Sequence, residues 1–293
     1  MIVIITGVNG FLGQHLSHFL TNRKLTVIGT GKGPCRIENK DVNLNKYVIA
    51  NLSNPSEVQQ LIAQNPPQWI IHCAAMSKPN DCHFHPAECI LHNVTATEYI
   101  IEAAQQAGAK LLYLSTDFIF GENGPHQEDD SPAPLNFYGE SKLQAEERVK
   151  NSGLHWAIVR PVLIYGKQLP GTPPSFLHWV KSSLQNKQPI KVVKDQFRTP
   201  TLVTDICEGI FQIITRNAQG IFHLSGNDIL TPYQMATMLA SEYKLDESLI
   251  TPVTSDIFPE PVQRAKKSGL LNHKAKKELG FNPLSFAEGV KLV

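Results

Sequence analysis

The segment Thr6-Gly7-Val8-Asn9-Gly10-Phe11-Leu12-Gly13 constrains this chain more than any other. It follows the apolar run Ile2-Val3-Ile4-Ile5 directly and opens a helix-like stretch over Phe11–Thr21. Glycine at such a strand-to-helix turn admits tight backbone angles and lets a diphosphate approach the main chain. The helix start then offers unpaired N–H groups and a favourable dipole. Gly7, Asn9, Gly10, Phe11, Leu12 and Gly13 are therefore the first candidates for holding a dinucleotide.

The rest of the chain supplies the frame such a turn needs. Short apolar runs at Ile2–Thr6, Thr26–Gly29, Tyr47–Ala50, Trp69–Cys73, Lys110–Ser115 and Trp156–Arg160 read as buried strands. Helix-like segments lie between most of them, over Phe11–Thr21, Pro55–Gln64, Pro86–Gln106 and Phe137–Lys150, the third ending at Gly108 as a C-cap. Alternation of this kind predicts an α/β fold, a doubly wound parallel sheet with helices on both faces. With 293 residues and 42% hydrophobic content the chain has ample core for it.

Beyond about residue 165 prolines break the pattern. A helix is expected over Ser175–Gln185, a strand at Ile190–Val193, a helix over Asp205–Arg216 and a strand at Ile221–Leu224. The expected division is a dinucleotide-binding domain over 1–165 with a returning segment at about 200–226. A smaller lobe would be formed by 166–199 and 227–293.

Twenty-seven basic residues against 26 acidic ones give a net charge of +1, which offers no global field for nucleic acid or an anionic membrane. Five cysteines without a CxxC pair argue against a disulfide framework. No signal-type leader or membrane-length apolar stretch is present. A cytoplasmic protein is expected.

Three local features point to chemistry. Tyr138 and Lys142 are four residues apart at a helix start, so phenol and ammonium share a face. The ammonium would lower the phenol pKa from about 10 toward a working range for proton transfer. Ser115-Thr116-Asp117 follows the fifth strand, at the carboxyl end where open α/β sheets bind ligands. The Thr116 hydroxyl could there hydrogen-bond a substrate carbonyl. Finally, the end of the second strand reads Val27-Ile28-Gly29-Thr30-Gly31-Lys32, with no carboxylate to bind a ribose diol. Thr30 and Lys32 suit a 2′-phosphate, so NADP(H) is preferred and NAD(H) is the alternative; a solvated loop charge is the bland reading of Lys32.

Together these motifs resemble the extended short-chain dehydrogenase/reductase superfamily, from the glycine turn through Asn93, Thr116, Tyr138 and Lys142. Within it, the chain is similar to the dTDP-4-dehydrorhamnose reductase (sugar-nucleotide-binding) family. The likeness covers nearly the whole chain, carried by Ser115–Gly121, Tyr138–Leu143, Ile158-Val159-Arg160, Tyr165-Gly166, Asp195-Gln196, Pro200-Thr201 and Gly220–Gly226. The resemblance implies a Rossmann-type sheet with a smaller C-terminal substrate-binding lobe. It implies reduction of a nucleotide-linked 4-keto-6-deoxy sugar, with Tyr138 as proton donor. Lys142 would tune the phenol and bind the nicotinamide ribose, Thr116 would hold the carbonyl, and Asp117 would support the site or touch the sugar. Gly7, Gly10, Phe11 and Leu12 would line the diphosphate, Asn51 and Leu52 the adenine, Ala74 and Ala75 the length of the cofactor, and Pro161 and Val162 the nicotinamide.

Departures sharpen the reading. Asn51 stands where relatives commonly carry aspartate, and Pro161-Val162-Leu163 where rhamnose-pathway reductases show Thr-Ser-Trp. Phe118 occupies the position of the dehydratases' glutamate, so dehydration is not expected. An epimerase with retained NAD is disfavoured by the lack of an acidic residue at Thr30. A non-catalytic NADP-binding subunit, like the regulatory beta subunit of methionine adenosyltransferase, is the alternative of a different class.

Arg198 is expected where the lobe faces the cleft; a guanidinium there could clamp a nucleotide diphosphate, a surface salt bridge being the alternative. Arg264 is a weaker candidate. Cys82, His83, His85, Cys89 and His92 crowd together without the spacing of a structural zinc site, and no metal is expected. A homodimer is left open.

Overall fold

The computed structural model describes residues 1–37, 44–258 and 261–293. The strands are β1 (Ile2–Thr6), β2 (Thr26–Gly31), β3 (Lys46–Ile49), β4 (Trp69–His72), β5 (Lys110–Leu114), β6 (Trp156–Pro161), β7 (Ile164–Tyr165), β8 (Ile190–Val193), β9 (Thr201–Leu202), β10 (Gly220–Leu224) and β11 (Ile250–Val253). The helices are α1 (Phe11–Asn22), α2 (Pro55–Gln64), α3 (Pro79–Phe84), α4 (Pro86–Ile90), α5 (Ala96–Ala107), α6 (Phe137–Lys150), α7 (Phe176–Gln185), α8 (Val203–Arg216), α9 (Pro232–Glu242), α10 (His273–Leu279) and α11 (Phe286–Gly289).

Seven strands form one parallel sheet in the order β10-β6-β5-β4-β1-β2-β3. The order reverses between β1 and β4, and the crevice at that switch point is where such sheets bind ligands. Because side chains alternate along a strand, Val3 and Ile5 face one layer and Ile4 the other. The first layer is built by Leu12, Leu16 and Leu20 of α1 with Ile206, Ile210 and Ile213 of α8. The second joins Val58 and Leu61 of α2, Ile100 and Ala104 of α5, and Ala145 and Val149 of α6. Both faces are covered, which is why the strands are apolar without polar alternation.

Local chemistry sets the helix ends. Asn54 caps α2, accepting from the Ser56 N–H at 3.1 Å ahead of Pro55. Asn136 caps α6 by accepting from the Gly139 N–H at 3.0 Å. Gly108 takes a left-handed φ of 64° and ends α5.

One expected helix is not uniform. The stretch foreseen as Pro86–Gln106 divides into α4, a π turn over Leu91–Thr95, and α5. Asn93 lies in that wider turn and is buried, with its amide bonded to the Met76 backbone and to Ser141. Periodicity could not reveal the break, because the apolar spacing carries on across it.

The remaining elements build a smaller body. α7, β8, β11 and α9 enclose a separate apolar cluster that includes Leu177, Val180, Val192, Met235 and Leu239. β8 pairs in parallel with β11, Ile190 opposite Ile250. Among the described residues the two-residue strands β7 and β9 pair only with each other. α10 returns to the first layer, where Ala275 and Leu279 join the α1–α8 core. Among the described residues no helix is long and apolar enough to cross a membrane.

Candidate active site

A cavity of about 700 Å³ opens at the carboxyl ends of β1, β4, β5 and β6. Gly7, Asn9, Gly10, Phe11, Leu12 and Gly13 line one side of it. Gly7 has φ +66°, and a Cβ there would lie 2.8 Å from Ala74 Cα. At Gly13 a Cβ would strike the Gly7 carbonyl and come within 2.7 Å of Val8 Cα. Side chains are thus excluded from this turn by its own backbone. The N-cap residue of α1, Gly10, makes no side-chain cap, and the first turn holds no acidic residue. The unpaired N–H groups of that turn remain for an anion. A bare backbone cradle at an uncapped, acid-free helix start fits a dinucleotide diphosphate.

Asn9 lines the cavity, yet its amide is already engaged. It donates to the Pro34 carbonyl at 3.0 Å and to the Tyr47 hydroxyl at 3.0 Å, and accepts from the Arg36 N–H at 2.9 Å. It therefore ties the glycine turn to the loop after β2, where Lys32, Gly33 and Arg36 line the same cavity. Thr30, Asn51 and Leu52 stand off it. The Thr30 hydroxyl is buried without a partner among the described residues. Asn51 donates its N–H to Glu57 at 2.7 Å, and Leu52 packs in the second layer.

Cys73, Ala74 and Ala75 at the end of β4 form the floor, opposite Leu114, Ser115, Thr116, Asp117 and Tyr138. Thr116 closes β5 and caps the short turn after it, accepting from the Phe118 N–H at 3.2 Å. It lines the cavity wall together with the Tyr138 phenol. Burial, and secondarily the Asp117 charge, pushes that phenol above its ordinary value. The expectation of a phenol depressed by Lys142 is therefore corrected. The Lys142 ammonium donates to the Leu114 carbonyl at 2.7 Å and sits 4.1 Å from the Tyr113 ring centroid. Burial lowers its own pKa to about 7 against the pull of Glu146.

Asp117 is buried at the cavity wall. It accepts from the Ser268 hydroxyl at 2.7 Å and from Thr116 at 3.3 Å. Burial raises its pKa, while Arg198 and these donors work the other way. Phe118 meets the Tyr138 ring edge-on at 5.5 Å and lines the cavity with it. Asn93 does not reach the cavity; it braces the Met76 backbone against α6 through Ser141.

At β6, Pro161 lines the cavity, whereas Val162 is buried with Ile119, Phe120 and Leu270. Arg198 is only 8% exposed, so the surface salt-bridge reading is set aside. It donates to the Phe197 carbonyl at 2.7 Å and to Gln196 at 3.2 Å. With Phe176, Lys191 and Gln196 it lines a second cavity of about 330 Å³, which shares Asp117, Phe118, Leu163 and Arg264 with the first. Cys82 and Cys89 are buried against Tyr138, and His83 and His85 are exposed. Among the described residues no three His, Cys, Asp or Glu side chains converge as metal ligands.

Sequence reasoning missed Ser268 and Ser115 as members of the site. Ser268 lies 151 residues from its partner Asp117, and no local motif marks it. Ser115 belonged to a recognised run, but only the fold shows its buried hydroxyl, unpartnered among the described residues, at the cavity wall.

Residues 1–293 match the RmlD substrate binding domain. The methionine adenosyltransferase 2 subunit beta of Xenopus tropicalis is 32% identical over 261 residues, 86% of this chain and 75% of that protein. The dTDP-4-dehydrorhamnose reductase of Bacillus anthracis, solved in complex with NADP, superposes with TM-score 0.86 at 29% identity, covering 99% of this chain and 97% of that one. A dTDP-4-dehydrorhamnose reductase from Clostridium acetobutylicum ATCC 824 does so with TM-score 0.86 at 26% identity, with the same coverage.

Proposed function

The chain belongs to the RmlD substrate binding domain family of extended short-chain dehydrogenases/reductases, and on that premise we propose that it is an NADPH-preferring reductase of a nucleotide-linked 4-keto-6-deoxy sugar, dTDP-4-dehydrorhamnose first. The observation that carries the reading is that Thr116 and Tyr138 line the wall of one cavity that runs on to the glycine turn. Gly7, Gly10, Phe11, Leu12 and Gly13 would cradle the diphosphate, and Lys32 and Arg36 favour the 2′-phosphate form. Bound there, the reduced nicotinamide supplies the hydride.

The chain's residues supply the rest. Thr116 holds the C4 carbonyl oxygen beside Tyr138, and the second cavity, with Arg198 and Arg264 in its wall, receives the nucleotide. A phenol held above its ordinary value keeps its proton until oxyanion character develops at C4, then gives it up. Lys142, one helical turn along α6 from Tyr138 and lowered by burial to about 7, donates to the Leu114 carbonyl at the cavity wall. In this structure the Thr116 proton rests on Asp117, itself held by Ser268, and on binding it turns from that long 3.3 Å bond to the carbonyl. Fixing carbonyl, hydroxyl and phenol on one wall supplies the orientation that hydride transfer requires.

The test is NADPH oxidation with dTDP-4-keto-6-deoxy sugar. Tyr138→Phe is expected to lower turnover by about 10²–10⁴-fold, the range for a lost general acid, with NADPH binding retained. Undiminished turnover in that variant would defeat the proposal. The 32% identity to a methionine adenosyltransferase subunit supports a second reading, a dinucleotide-binding regulatory partner. Co-elution with a methionine adenosyltransferase, without keto-sugar turnover, would favour it.

A further inference from the structure

The loop after β2 brings Lys32 to the cavity mouth, and that lysine is held from the side. Its Nζ lies 3.2 Å from His92 Nε2, and His92 Nδ1 lies 2.8 Å from Ser53 Oγ. An ammonium has only N–H donors, so Nε2 must be the acceptor. The imidazole is then neutral and carries its proton on Nδ1, which donates to the Ser53 hydroxyl. Burial and the Lys32 charge both push His92 below the ordinary histidine range, and only Glu88 acts against them. The neutral tautomer that the geometry demands is also the one the surroundings favour.

His92 sits in the π turn over Leu91–Thr95, and Ser53 in the segment between β3 and α2. Three separate stretches thus meet at the end of the cavity that the glycine turn and Arg36 assign to the adenosine. Lys32 is exposed, and an exposed lysine ordinarily gives up its side-chain freedom when it docks an anion. Here one N–H is already fixed on imidazole, and two remain for a ligand. Beside Lys32 the lining is Gly31, Gly33 and Arg36, and among the described residues no carboxylate lines this part of the cavity.

We propose that His92 is a positioning residue for cofactor choice: braced on Ser53, it holds the Lys32 ammonium at the cavity mouth for the 2′-phosphate of NADPH, and so selects NADPH over NADH. The inference rests on the dinucleotide reading above and is independent of the sugar. It assigns the selectivity jointly to the β2 loop and to a turn some sixty positions further along the chain.

The experiment titrates the full-length protein with NADPH and with NADH by nucleotide fluorescence, without sugar, alongside thermal melts. His92→Leu is expected to weaken NADPH about tenfold, the scale of one charge-assisted hydrogen bond, and to leave NADH within about twofold. His92→Gln, whose amide can accept from lysine and donate to serine, should keep the NADPH preference. Lys32→Ala should lose at least as much as His92→Leu, and adding His92→Leu to it should change nothing further, because the histidine acts through the lysine. Ser53→Ala, a milder cut at the far end of the chain of bonds, should weaken NADPH by about threefold.

An unchanged NADPH-to-NADH ratio in His92→Leu overturns the inference, as does an equal loss of both nucleotides, which marks a merely structural role. If His92→Leu does not fold, an unchanged ratio in Ser53→Ala overturns it. A wild type without NADPH preference removes the inference and the cofactor assignment together. NADPH selectivity without keto-sugar turnover removes only the reductase reading.

Discussion

The seven-stranded sheet and the small lobe meet at the same cavity but reach it by different routes. In the sheet, each functional group is set by its neighbours along the chain: Gly7 to Gly13 by one turn, Thr116 by the end of β5, and Tyr138 and Lys142 by one helix with an Asn136 cap. In the lobe, Arg198 is set by strangers. Its backbone exchanges hydrogen bonds with Leu230 at 3.0 and 2.9 Å, and the adjoining Phe197 bonds to Lys266 and Ser268 at 2.7 and 3.1 Å. Ser268 then crosses to the sheet side and donates to Asp117. Groups that must press backbone against a ligand need particular residue types at fixed spacing. Groups held by long-range pairing can come from many sequences.

Substitutions can break that contrast. The largest loss is expected in the glycine turn. Gly13→Ala drives a Cβ into the Gly7 carbonyl and Val8, so dinucleotide affinity should fall by about a hundredfold, with a stability loss of about 1–3 kcal/mol. Fluorescence titration and a denaturant melt read both.

Next is the bond across the two regions. Ser268→Ala leaves the buried Asp117 without its shortest donor, which should cost about 1–3 kcal/mol of stability. Keto-sugar turnover should fall while NADPH affinity stays unchanged. If NADPH affinity falls as much as turnover, the two regions are not separable in this way.

Acid should act on the sheet before the lobe. His72 is buried in β4, its Nδ1 2.7 Å from the Thr6 hydroxyl and its Nε2 3.2 Å from Thr97. Thr97 gives its own proton to the Asn93 carbonyl at 2.7 Å, so it accepts from His72 Nε2–H, and burial disfavours a second proton on the ring. Burial takes His72 from 6.5 to about 3, and burial with the nearby Arg160 does the same to His223. The unfolded chain therefore binds more protons below pH 6.5. Stability from these two groups is full above that pH and declines as pH falls toward 3. Asp205, raised by burial to about 6, works oppositely between pH 4 and 6, as do Asp117 and Glu128, also raised by burial, while His15 and His92, lowered by burial, add to the imidazole side. Urea midpoints should drop from pH 7 to pH 5, and hydrogen exchange in β4 should accelerate before that in α9.

The smallest effect belongs to the outer face. Arg148 is 57% exposed and lies 2.7 Å from Glu98. Arg148→Ala should change stability by no more than about 0.5 kcal/mol, measured by the same melts.

Local patterning was enough for much of this molecule. Ile2–Thr6, Pro55–Gln64, Phe137–Lys150 and Ile190–Val193 fall where apolar runs and caps put them, because such segments answer to neighbours a few residues away. The parallel sheet followed from the alternation of strand and helix. The two-residue strands β7 and β9 were illegible, since neither has a pattern of its own and each exists only as the other's partner. The π turn was hidden because Asn93 looks like any helical residue until Met76 and Ser141 are beside it.

By itself, then, the sequence determined which backbone must bend at Gly7 and Gly13, that Thr116 follows a strand and Tyr138 opens a helix, and which family the chain resembles. Only the tertiary structure decided the state of those groups. Burial, which no residue type specifies, raised the Tyr138 phenol and lowered Lys142 to about 7. Packing across long separations brought Ser268 to Asp117 and His92 to Lys32. Propensity and spacing act through adjacent bonds; desolvation and long-range hydrogen bonds exist only once the layers close.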